Sequence, residues 1–274
     1  MPPVYAHMLS FLQAPLAFGL MAACVTTLGL ITVSVGGNWS ARYSGLFALA
    51  AGGMLASLTI LHIIPDAFRL SGNAPGFLMA GFFGGLVLHF GVGALFPESS
   101  RRGRAAAITP LAAVAIHSFI DGLIYSVTFA ASFSSGVYAA VSLIVHEFPE
   151  GVIAFAILRR HSFPIRDSFL WAFLAAGLTT PVGVLLSTPF MYSLTEGAVG
   201  NLFAVSAGLL LYVSTGPLME PLGEEPPGRS LVALGAGVLL AILMTLMPLH
   251  AHLGHGHSHD HAPALPSMLT APRG

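Results

Sequence analysis

The chain has 274 residues, 55% of them hydrophobic and 8% charged, with a formal net charge of −1 and a mean hydropathy of +0.83. A soluble domain carries about a quarter charged residues, and this shortfall leaves too little polar side chain to cover a water-facing surface. The composition predicts an all-α polytopic membrane protein whose partner is the lipid bilayer, and the near-zero charge gives no sign of nucleic-acid binding. Cys24 stands alone and excludes an intrachain disulfide; the redox compartment stays open.

Apolar runs long enough to cross a bilayer lie near 14–35, 44–67, 75–96, 106–131, 136–158, 168–190, 198–219 and 230–249, which predicts a bundle of eight transmembrane helices. No Lys or Arg precedes the first run, so it reads as a retained span and not a cleaved signal. The breaks fall at 37–40, 71–75, 97–104, 132–135, 159–167, 195–197 and 223–229. Residues 1–250 form the transmembrane domain, and 251–274 a flexible His-rich tail.

Every basic residue is an Arg, which makes orientation easy to score. Arg42, Arg101, Arg102, Arg104, Arg159, Arg160, Arg166 and Arg229 flank loops of one side, against Arg69 and Arg273 on the other. The positive-inside rule puts the first set in the cytoplasm and both termini on the extracytoplasmic side of the cell membrane.

Small residues recur where helices must approach, at Gly52-Gly53, Gly81/Gly85 and Gly235-Gly237. Pro110, Pro149, Pro181 and Pro217 fall inside predicted spans and break backbone ladders there. Pro149 frees the carbonyl of Val145, one residue before His146, and predicts a kinked, polar-lined cavity.

The fourth and fifth runs carry near-copies of one motif, HSFIDG from His117 to Gly122 and HEFPEG from His146 to Gly151. His117 and Asp121 are four apart, as are His146 and Glu150, so on helices each pair shares a face. The motif centres lie 14 to 15 residues from a turn at Ser132–Ser135, roughly 22 Å along a helix, which places both near mid-membrane. Five ionisable groups then gather at one depth: His117, Asp121, His146, Glu147 and Glu150. Burying even one there costs a few kcal/mol on insertion scales, so such groups mark an ion or proton path. Two imidazoles with two carboxylates suit a divalent ion such as zinc or iron(II); calcium and magnesium want more oxygens. A closed structural zinc cage is normally rich in cysteine, which this chain lacks at the site.

These paired motifs resemble the metal centre of the ZIP family (Zrt/Irt-like proteins), eight-span divalent-metal transporters. The stretch Ala51–Phe68, ending HIIPDAF, and the segments AGLTTPVG (Ala176–Gly183) and AGLLLYVS (Ala207–Ser214) look like further family helices. The resemblance implies that His117, Asp121, His146 and Glu150 form the primary transport site. It also implies a neighbouring second metal, for which Glu147 is kept, while Ser118 replaces the usual Asn and Thr180 the usual carboxylate. The expectation is one tight site with at most a weak neighbour. Homodimerisation is implied by the resemblance and consistent with the Gly-rich faces.

His62 and Asp66 read either as the lining of an outer vestibule or as an interfacial helix end capped by Pro65. Met54 is expected in the core, and His89 as a satisfied interior histidine. Glu220 reads equally as an aid to metal exit or a solvated loop charge. In the tail, His250, His252, His255, His257, His259 and His261 with Asp260 suit loose capture of zinc, nickel or copper, or nothing at all.

The function expected is transport of zinc, with iron, manganese or cadmium as further substrates, toward the cytoplasm, and not catalysis. Carboxylates that are costly when empty suggest proton release on metal binding. The alternative is an intramembrane zinc-dependent hydrolase, because His146-Glu147 begins like H-E-x-x-H, with Glu147 as general base. Glu150 stands where the second His should be, and the motif at His117 would go unexplained. A proton or cation channel ranks third.

Overall fold

The computed structural model describes residues 3–35, 42–95, 104–190 and 193–246. The His-rich tail from His250 to His261, loop residues 37–40, and Arg101, Arg102 and Arg273 lie outside the described residues. Among the described residues all regular structure is helical, and eight helices are long and apolar enough to cross a membrane. They are α1 (Gln13–Ser34), α2 (Ser44–Leu70), α3 (Ala74–Leu95), α4 (Ile108–Ala131), α5 (Phe133–Arg160), α6 (Ile165–Phe190), α7 (Glu196–Gly223) and α8 (Pro227–Thr245). In lipid each backbone polar group needs an internal partner, and long apolar segments meet that demand as helices. The chain is an all-α, multi-pass membrane protein. Where the predicted ends fall on described residues they differ most at 219 against Gly223, and the predicted end at 249 lies outside the described residues.

The helices pack as two groups of four. In one, α1 lies on α5 and α6, and α4 lies on α5 and α6; in the other, α3 lies on α7 and α2 on α8 and α7. The groups meet along α2–α5 and α4–α7. Exchanging α1 with α6, α2 with α7, α3 with α8 and α4 with α5 maps α1–α5 onto α6–α4, α2–α8 onto α7–α3, and α2–α5 onto α7–α4. Each group of four thus maps onto itself with its contacts kept, and the duplicated motif sits on α4 and α5, which exchange with each other. Large apolar side chains such as Leu28, Phe83, Val87 and Leu240 are exposed, as a lipid-facing surface requires.

Of the prolines expected to break spans, only Pro149 lies in the interior of an α-helical run, Phe133–Arg160. Pro110 sits in the first turn of α4, and Pro217 opens the 3-10 segment Pro217–Gly223 that ends α7. A missing N–H costs little at such starts. Pro181 follows a π-helical turn at Phe173–Gly177, and Pro65 follows another at Thr59–Ile63. There the Ile64 N–H reaches back to the Thr59 carbonyl and the Leu178 N–H to that of Phe173, at 2.8 Å. A widened turn gives room to the carbonyls that a proline ring would strike.

The connection between α4 and α5 is tighter than the four-residue serine turn. Only Ser132 is extended (φ −163°), and its side chain caps α5 by accepting the Ser135 N–H at 3.0 Å. His89 also departs from expectation. It is exposed on α3, with its ring 6.4 Å from Tyr212, because α3 buries only Ala74, Gly81 and Gly85 and turns its remaining surface outward. Met54 is buried in the core as expected.

Candidate metal centre

Residue 119 lies 12 residues before the end of α4 and residue 148 lies 15 residues into α5, about 18 and 22 Å along the helices. Both motifs are therefore central to their spans. His117, Asp121, Glu147 and Glu150 are buried, and His146 is partly so.

Asp121 is the hub. Its Oδ2 accepts from His146 Nε2 at 2.9 Å and stands 3.6 Å from His117 Nε2. The two imidazoles stack, with centroids 5.7 Å apart and planes 30° apart. The i,i+4 pairing holds within α4, whereas His146 turns across the helix interface to Asp121. Two groups of ligand-competent atoms result, His117–Asp121–His146 and Asp121–Glu147–Glu150, each with its atoms within 4.8 Å of one another. The quartet of the sequence reading is thus divided between two overlapping sets that share Asp121.

Two buried carboxylate oxygens, Asp121 Oδ1 and Glu150 Oε2, have no hydrogen-bond partner. Orphaned acceptors of this kind are rare, because leaving one dry costs roughly 1–3 kcal/mol. Three carboxylates converge without an Arg paired to any of them among the described residues. A divalent cation answers both features, and the mixed imidazole and carboxylate donors fit zinc or iron(II).

The remaining oxygens are held by hydroxyls. Thr26 on α1 donates to Glu147 Oε2 at 2.5 Å, and Thr180 on α6 donates to Glu147 Oε1 at 3.3 Å. Ser118 donates to Glu150 Oε1 in a short bond and lies 3.0 Å from the Val114 carbonyl. Ser118 and Thr180, the departures from the family pattern, thus each hold a carboxylate. Glu147, the general base of the hydrolase alternative, has both oxygens engaged and is fully buried. Thr26 and Ser206, whose hydroxyl is 2.7 Å from His117 Nδ1, were not singled out by sequence. Their only signal was a hydroxyl within an apolar span.

A cavity of about 30 Å³ opens between the two helix groups, enough for a water or two, with His62, His117, His146, Pro149 and Glu150 in its wall. His62 therefore faces the centre from α2. Asp66 lies one turn on, 3.9 Å from His62 Nδ1 and 3.4 Å from Arg69, in a helix that continues past Pro65 to Leu70. Glu220 is exposed and pairs with Arg160 at 3.8 Å, beside the Arg160–Glu224 contact at 3.2 Å.

A family model described as the ZIP zinc transporter matches residues 97–226, a segment that contains both motifs. Zinc transporter ZIP13 of Pongo abelii is 27% identical over 241 residues, covering 80% of this chain and 71% of that protein. Zinc transporter ZIP10 of Danio rerio is 30% identical over 115 residues, 42% of this chain but 13% of its own length. Metal cation symporter ZIP14 of Homo sapiens is 28% identical over 112 residues, 40% of this chain and 21% of its own. Eight apolar helices, a paired His/carboxylate motif on the fourth and fifth, and these matches agree: the chain is similar to the ZIP zinc transporters across both motifs.

Proposed function

We propose that this protein carries divalent transition-metal ions, zinc foremost and iron(II), manganese or cadmium as further substrates, across the cell membrane toward the cytoplasm. The observation that carries the reading is Asp121, shared by two ligand sets and left with an unpartnered oxygen. An ion held by His117, Asp121 and His146 can gain Glu147 or Glu150 before it loses an imidazole. Ligands are then exchanged one at a time, and the ion is never stripped of its shell in a low-dielectric interior.

Selectivity comes from the two imidazoles, which a hard cation would not choose. The carboxylates supply charge. Because Thr26 and Thr180 already engage Glu147, the set around it is the weaker of the two, which supports one tight site and a poorly filled neighbour. His62, in the cavity wall on α2, passes ions to the centre from the opposite helix group.

The test is zinc uptake into liposomes holding the purified protein and an internal zinc-sensing dye, for wild type, His117→Ala and Glu150→Ala. Saturable uptake that both substitutions abolish is the expected result. Zinc binding through these residues without flux would overturn transport and return weight to the hydrolase.

A further inference from the structure

We infer that Ser206 on α7 is a positioning residue for the metal centre, selecting the ring nitrogen that His117 presents to the substrate. This rests on the transport reading above. Ser206 Oγ lies 2.7 Å from His117 Nδ1, and Ser206 is fully buried. Its helix belongs to the four-helix group opposite the one that carries His117. The imidazole is thus held from across the interface along which the cavity opens.

The direction of this bond decides what the other nitrogen can do. When Nδ1–H donates to the Ser206 oxygen, Nε2 carries a lone pair, and Nε2 is the atom 3.6 Å from Asp121 Oδ2 within the ligand set. When the hydroxyl donates to Nδ1 instead, the proton sits on Nε2 and blocks coordination. A serine hydroxyl serves as donor or acceptor, so the bond survives a change of tautomer between metal-free and metal-bound forms. Alanine can do neither.

Simple satisfaction of a buried hydroxyl does not explain the contact as well. Buried Thr188 and partly buried Thr128 and Thr179 show the usual solution in these helices, turning back on the carbonyl four residues earlier. Ser206 spends its bond on an imidazole 89 residues away in sequence. Such outer partners of metal-ligating histidines fix ring orientation, and losing one typically weakens metal affinity about 10- to 100-fold.

The experiment compares the full-length wild type, Ser206→Ala, Ser206→Thr and His117→Ala, by zinc binding in detergent and zinc uptake in liposomes. The tail is present in every variant, so differences report the centre. Ser206→Ala is expected to raise Kd and KM by about 10- to 100-fold with a smaller change in maximal rate. It should also change the ¹⁵N signature of the His117 ring, and Ser206→Thr should recover most of the loss. Wild-type Kd and KM in Ser206→Ala, beside a dead His117→Ala, would overturn the inference and leave transport standing. So would a threonine variant no better than alanine. No zinc uptake by the wild type would overturn the transport reading itself, and full uptake by His117→Ala would place the pathway away from this site.

Discussion

A Cβ atom placed on Gly122 would lie 2.0 Å from the carbonyl oxygen of Thr180. The last residue of the first motif is therefore the point where α4 and α6 touch backbone to backbone. Gly151 ends the second motif and does the same for α1, where an added Cβ would lie 2.5 Å from the Thr26 carbonyl. These two contacts bring the hydroxyls of Thr180 and Thr26 to Glu147. Gly122→Ala should force α6 away and cost about 1–3 kcal/mol, seen as a lower Tm in detergent together with reduced zinc uptake. Gly84→Ala is the control: nothing lies within 4 Å of its Cβ, and alanine there should be neutral or stabilising by up to ~1 kcal/mol.

Thr26→Val keeps the shape of the side chain and removes the donor to Glu147 Oε2. It should cost about 1–3 kcal/mol, because a buried oxygen loses its partner. Thr180→Val should cost less, since its bond to Glu147 is 3.3 Å against 2.5 Å. Combining Thr26→Val with Glu147→Gln should be clearly non-additive by thermal unfolding. Additive losses would mean that the hydroxyl acts elsewhere.

Much of this arrangement was legible in the sequence, and the remainder for physical reasons was not. Span number follows from apolar run length. The depth of His117 and His146 follows from their distances to Ser132, because helical rise is constant. The partners of Asp121 could not be read the same way. Local spacing puts His146 beside Glu150, yet contact across α4 and α5 gives it to Asp121. Thr26, Ser206 and the exposure of His89 depend on which helix faces which, and apolar composition alone does not encode that. Ser118 and Thr180 were visible as substitutions, but their carboxylate partners became apparent only with the helices packed.

Orientation has its own test. In a Cys24→Ser background, Ser132→Cys lies at the exposed α4–α5 connection and Arg166→Cys at the exposed start of α6, on the opposite side. A membrane-impermeant maleimide added to intact cells should label residue 132 and reach residue 166 only after permeabilisation. The reverse pattern would invert the topology and with it the proposed direction of transport.

The tail is proposed to capture metal outside the membrane. Deleting His250–His261 should raise the KM for zinc and leave the maximal uptake rate unchanged, because loosely bound imidazoles raise only the local supply. Equal KM values with and without the segment would remove that role.

The central claim is that the ion passes through the ligand sets joined at Asp121. Its most direct measurement is zinc flux into liposomes for Asp121→Asn against wild type, at matched protein content and with folding verified by Tm. Asparagine keeps the volume and removes the shared charge, so the account predicts uptake reduced by about 100-fold or more at every zinc concentration. Uptake at the wild-type rate would contradict it and place the pathway elsewhere in the bundle.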